Sequence, residues 1–296
     1  MRPQPIPGRL RNPAVSLIAV RVFLLLIVAT VPLSAATNEA VQARITNDLA
    51  QGKPVVVHVV VALCDNKNQG IVPVPPELGN GQDPRSNLYW GALYGLKTHF
   101  SKQGWKKVAV EKPNDKRILE RVLFFRNLSR DEREVPVYVL ADAWDGAEIR
   151  PAMKRFLAMT AGDANERFQI GAEPATTEVR AGGAAHLVAY VGHNGLMDFG
   201  LARPSSQSEG RAIGSSIVLA CASKPYFLDH LEAADSHPLL LTTGLMAPEA
   251  YTLDAVIRRW VAHGTPEAVR KAAAEAYHRY QNCGLRAATN LFWSAP

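Results

Sequence analysis

His193 and Cys221 are the two residues of this sequence best placed to do chemistry together. Each stands just past an apolar run: "AHLVAYV" (185–191) leads into Gly192-His193-Asn194-Gly195, and "SIVLA" (216–220) leads into Cys221-Ala222-Ser223. Only 28 positions separate them. If the two runs are neighbouring strands, their tips lie about 5 Å apart, or about twice that with one strand between them. A thiol and an imidazole so placed can act as nucleophile and general base. Ala220 and Ala222 leave room for a carbonyl beside the sulfur. The backbone amides of Cys221 and Gly195 are candidates to hold an oxyanion. Ser223 can cap a helix with Pro225 in its first turn, and a helix amino terminus favours a thiolate over a thiol.

The chemistry depends on the elements that carry these residues. Valine-rich "PVVVHVVVAL" (54–63), "KKVAVEK" (106–112), "VPVYVLA" (135–141) and "PLLLTT" (238–243) join the two runs above as expected strands. Near-continuous Val, Ile and Leu, without polar alternation, suits strands covered on both faces. Helical spacing marks 87–100, 147–159 and 224–234. Stretches 247–264 and 265–284 carry proline near the start and glycine at the stop. Strands alternating with helices predict an α/β fold with a mostly parallel central sheet flanked by helices. Ligands of such sheets gather outside the carboxyl ends of the strands, where His193 and Cys221 stand. Residues 66–87 read as a long Pro/Gly-rich loop, and 162–184 as polar, glycine-rich chain without a clear element.

"HLVAYVGHNG" followed by "SSIVLACAS" resembles the caspase-like clan of cysteine peptidases: caspases, legumains, gingipains, clostripain and separases. In those families one apolar strand ends in a histidine and the next in a small residue and the nucleophilic cysteine. "VPVYVLADAWDGAEIRPAMKRFL" resembles the preceding segment of bacterial caspase-like domains, so the likeness covers roughly 135–245. It implies a three-layer caspase-like sandwich, with His193 as base and proton donor, Cys221 as nucleophile and Gly195 beside the oxyanion. The substrate would be a peptide or protein, and no metal or organic cofactor is required. Two departures stand out. Asn194 follows the histidine where the family usually has glycine, and Gln-Ala-Cys-x-Gly is absent.

Asp65, at the tip of the first strand, lies where caspase-like enzymes often build their specificity pocket. It and Asn194 are candidates for contact with substrate, although a turn-forming aspartate is the plainer reading of Asp65. The remaining histidines show no metal-ligand spacing, and neither a His-Glu-x-x-His, a Gly-x-Ser-x-Gly nor a phosphate loop is present.

Residues 1–36 read as a secretory signal peptide: four arginines, the apolar "VFLLLIVATVPL", then Ser34-Ala35-Ala36. The apolar run is short of the roughly 20 residues that span a bilayer. The rest, 37–296, reads as one domain, exported to the periplasm or the exterior, with no integral membrane segment. Four of the chain's six net positive charges are arginines of that leader, which leaves +2. With no basic stripe interleaved with aromatics, nucleic acid is excluded as a partner. Cys64 and Cys283 can pair and leave Cys221 free, or all three cysteines can be reduced. A non-catalytic exported binding protein on the same fold is the alternative reading, with Asn194 its main argument. An unrelated α/β protein with a redox or structural cysteine is a third.

Overall fold

The computed structural model describes residues 36–171, 176–204 and 211–295, together with residues 1 and 4. From Ala35 onward the chain forms one compact unit. The leader expected at 1–36 lies almost wholly outside the described residues.

The valine-rich run forms β1 (Val55–Ala62), buried along its whole length. Its odd-numbered valines face one core, which α1 (Asn38–Ala50), α2 (Leu96–Lys102), α5 (Ala250–Val261) and α6 (Pro266–Gln281) cover. Val56, Val60 and Ala62 face a second core, closed by α3 (Ile149–Thr160) and α4 (Ser223–Ala233). Side chains alternate along a strand, so a strand that is apolar throughout needs a helical layer on each side. The sheet is completed by β2 (Lys106–Glu111), β3 (Ile118–Arg130), β4 (Arg133–Trp144), β7 (Leu187–Val191), β8 (Ser215–Leu219), β9 (His237–Thr242) and the two-residue β10 (Phe292–Trp293). Its order is β10-β9-β8-β7-β1-β4-β3-β2. Strands β4, β1, β7, β8 and β9 run parallel, and the strands beyond β4 and β9 are antiparallel.

Strand β1 sits between β4 and β7, so the chain builds out on one side and later returns to build on the other. The carboxyl ends of β1 and β7 therefore flank the topological switch point, where open α/β sheets leave a crevice. No helix among the described residues is long and apolar enough to cross a membrane.

The strand expected at 135–141 forms within β4 and pairs in a long hairpin with the unforeseen β3; the two-residue turn puts Asp131 and Glu132 at positive φ, as tight hairpin turns require. Other expectations are corrected. The helix expected over 87–100 is confined to Leu96–Lys102. The Asn87 side chain accepts from the amides of Cys64 and Tyr89 and donates to the carbonyls of Cys64 and Asn80. Those bonds hold 87–95 in turns, competing with a helical ladder. Residues 162–184, expected to lack an element, contain a two-stranded hairpin of β5 (Glu166–Ile170) and β6 (Thr177–Ala181). Finally, α1 and a short α7 (Leu285–Leu291) were not foreseen.

Beneath that hairpin lies a buried charge network. Arg121 donates to Asp142 through Nε at 2.5 Å and Nη2 at 2.7 Å, and to Glu166 of β5 through Nη1 at 2.6 Å. His58 Nδ1 accepts from the Gly182 amide at 2.9 Å, which leaves Nε2 to donate to Asp142 at 3.1 Å. His58, Asp142 and Glu166 offer ligand atoms close enough to hold a metal ion. Every carboxylate oxygen among them already accepts from a guanidinium or the imidazole, Arg155 included, so the cluster is an ion-pair network.

Candidate active site

Strand β7 ends at Val191, and the next residue turns the chain. Gly192 has φ +151°, and a Cβ there would come within 2.8 Å of the Ala62 carbonyl of β1, so only glycine fits. That turn presents His193. Its carbonyl accepts from the buried Tyr190 hydroxyl at 2.8 Å and from the Gly195 amide at 3.1 Å. A single 3₁₀ turn (Gly195–Met197) follows, opened by the Asn194 side chain, whose Oδ1 accepts from the Leu196 amide at 3.2 Å. The turn returns Asp198 to the histidine, and His193 Nε2 lies 2.6 Å from Asp198 Oδ2. The carboxylate accepts, so Nε2 carries the proton. His193 Nδ1 has no hydrogen-bond partner among the described residues and keeps its lone pair.

Strand β8 delivers Cys221 two residues past its last paired position. Ala222 is left-handed, with φ +44°, an uncommon conformation for alanine. Its amide is held by the Gly244 carbonyl at 2.7 Å. Helix α4 then starts at Ser223, whose hydroxyl does not cap it as expected. The hydroxyl donates to the Val218 carbonyl at 3.0 Å and accepts from the Thr242 amide at 2.8 Å, tying the cysteine turn to β9. The Met246 main chain brackets the sulfur. Its amide donates to Cys221 Sγ at 3.4 Å, and the thiol donates to its carbonyl at 3.5 Å.

His193 and Cys221 thus line one cavity of about 370 Å³, walled by the loop after β1 and by residues 245–248 after β9. The two do not hydrogen-bond to each other: the imidazole is held by Asp198 and the thiol by Met246. Asn194 links them. It is fully buried, and its Nδ2 donates to the Cys221 carbonyl at 2.8 Å while its backbone continues directly from His193. It does not line the cavity, so the expected contact with substrate is replaced by a clamp between the two loops.

Two other candidates move. Asp65 lies outside the cavity, 1% exposed, with its carboxylate accepting from the amides of Lys67 and Asn68 and the side chains of Asn68 and Gln82. Burial alone would raise its pKa, but these donors outweigh burial and lower it. It organises the 66–87 loop, the turn-forming role that was its plainer reading. The Gly195 amide is spent on the His193 carbonyl, and its α-carbon packs on the Phe199 ring, so it does not offer the expected oxyanion donor. Among the described residues, the amides of Cys221 and Asn194 have no acceptor. Asp198 went unforeseen. A carboxylate one short turn beyond a strand-end histidine was the available signal.

The three cysteines are free, so Cys64 and Cys283 form no bridge. Cys64 is buried, and burial pushes its thiol up to about 11 against the opposing effect of the Tyr89 hydroxyl, so it is no nucleophile at neutral pH. Cys283 is exposed, just past the carboxyl end of α6.

Asn194→Ala is expected to lower kcat for any reaction run by this pair by about 10- to 100-fold, because small misplacements of reacting groups cost that much. KM should change little, since Asn194 does not touch the cavity. A kcat/KM split measured beside a thermal melt checks this: a fall in kcat that tracks unfolding would assign Asn194 to stability alone. Comparison with protein-family models, with curated proteins and with solved structures finds no match to this chain.

Proposed function

We propose that this protein is an exported cysteine hydrolase of the caspase-like clan, cleaving amide bonds of a peptide or protein. The observation that carries the reading is that His193 and Cys221 line one cavity, with the histidine proton fixed at Nε2 by Asp198 and its other nitrogen unpartnered among the described residues. Export rests on residues 1–36 alone, and membership of the clan rests on the two strand-end motifs.

In the first step the Cys221 proton passes to His193 Nδ1 and the sulfur forms a bond to the substrate carbonyl carbon. The oxyanion is held by the Cys221 amide. Collapse breaks the carbon–nitrogen bond, and the imidazolium gives its proton to the departing amine. Water then attacks the thioester while His193 takes its proton. The carbon–sulfur bond breaks, the acid leaves, and the thiol is restored. Asp198 stabilises the imidazolium and orients the ring. The Met246 amide remains a donor to the sulfur throughout.

The bracketing of the thiol by Met246 also favours a second reading, a binding protein with a closed site. Alkylation by iodoacetamide between pH 5 and pH 9 separates the two, with the exposed Cys283 as internal reference. The hydrolase reading expects Cys221 to label faster than Cys283 at pH 6, by about tenfold, and to lose that advantage in His193→Ala. Labelling slower than Cys283 and indifferent to His193 would favour the binding protein.

A further inference from the structure

Resting on the hydrolase reading, we infer that the substrate residue carrying the scissile carbonyl is apolar, and that charged residues are rejected there. The cavity beside Cys221 is walled by Ile71, Val72, Val74, Leu88, Leu245 and Met246, and none of its lining side chains carries a carboxylate, ammonium or guanidinium group. Among the described residues, its one polar side chain besides Cys221 and His193 is Tyr89, which is buried beside the Cys64 thiol.

The neighbouring acids are engaged by other groups. Asp65 is wrapped by its four donors, Asp198 holds the histidine through Oδ2, and Glu249 accepts from the Tyr251 hydroxyl and the Gln281 side chain through Oε2. A basic substrate side chain would find no carboxylate on the cavity wall. An acidic one would find no arginine or lysine on the wall. Either would give up part of its hydration with no charged partner on the wall, which is unfavourable.

The mouth of the cavity carries the same apolar character out to solvent. Val72 is 86% exposed, Leu245 78% and Met197 46%, and these large apolar side chains come from three different loops. Single exposed hydrophobics are ordinary, but all three of these rim the same cavity, around the candidate nucleophile. Concave apolar sites with a few convergent polar groups are what small apolar groups bind. Flanking the sulfur, the surface fits the side chain of the residue being acylated.

Four fluorogenic peptide amides, identical except for Leu, Phe, Arg or Asp next to the cleaved bond, test the inference. The Leu and Phe substrates are expected to exceed Arg and Asp in kcat/KM by about 100-fold or more. The surface variant Val72→Asp with Leu245→Asp should cut the Leu rate by about tenfold and raise the Arg rate. Cys221-dependent hydrolysis of Arg or Asp as fast as Leu would overturn the inference and leave the hydrolase reading standing. Inertness toward all four, with Cys221 failing to label, would overturn both.

Discussion

Cys221→Ala is expected to abolish amide hydrolysis, lowering kcat/KM by about four to six orders of magnitude, because without the sulfur no acyl-enzyme forms. His193→Ala is expected to cost about two to four orders, the usual contribution of a positioned general base. The double variant should be little worse than Cys221→Ala, since a nucleophile and its base act as a unit and their losses do not add. Asp198→Asn should fall between wild type and His193→Ala. Its carboxylate is 45% exposed, so water already screens part of the charge it offers the imidazolium. Steady-state hydrolysis of the Leu peptide amide, with circular dichroism to verify folding, measures all four. Cys221→Ala retaining more than about a tenth of wild-type activity would mean that another group attacks the carbonyl.

The pairing behind that prediction was legible because it needed only two strand ends. A parallel sheet puts the carboxyl ends of its strands on one edge, and β7 and β8 are adjacent in it. Asp198 was not legible, because a 3₁₀ turn of three residues decides whether a carboxylate five positions on faces the histidine or solvent. Asp65 kept two readings for a related reason, and the turn-forming one is what the structure shows. A strand-end carboxylate looks the same in sequence whether it faces a cleft or is wrapped by Asn68 and Gln82 from a loop whose path the sequence does not declare.

The missed hairpin has a physical cause too. Glu120 and Arg121 interrupt the apolar pattern of β3, and a charged residue normally argues against a buried strand. Arg121 is buried all the same, because its partner Asp142 lies across the ladder on β4, a pairing that exists only once the hairpin has formed. Helix 87–100 failed in the opposite direction. Its apolar spacing was sound, but Asn87 was free to bind Cys64 and Asn80 and did so. The Gly91 α-carbon also lies so close to the Arg85 carbonyl that no side chain fits there.

Arg121→Ala is expected to destabilise the fold by about 3–5 kcal/mol, the cost of leaving one partner of a buried ion pair behind. Domains of this kind have only about 5–15 kcal/mol in hand, so the loss should be plain in urea unfolding followed by circular dichroism. Its pH dependence identifies the cause. In the wild type, burial alone would raise the Asp142 carboxyl, but the Arg121 and His58 hydrogen bonds outweigh burial and hold it near 2. A carboxylate depressed in the folded state contributes stability that is full above its unfolded pKa of about 4 and is lost as pH falls toward the folded value. Without the guanidinium, burial is opposed by His58 alone and Asp142 moves upward. A carboxyl raised in the folded state destabilises above its unfolded pKa, and protonation relieves the penalty as pH falls. The deficit of Arg121→Ala should therefore be larger at pH 7 than at pH 4. Arg121→Met combined with Asp142→Asn, which removes both charges and keeps an acceptor for His58, should be less damaging than Arg121→Ala. A deficit below about 1 kcal/mol, or one of equal size at both pH values, would show that the ion pair with Asp142 is incidental and that Arg121 serves the β5–β6 hairpin through its guanidinium over the Phe168 ring.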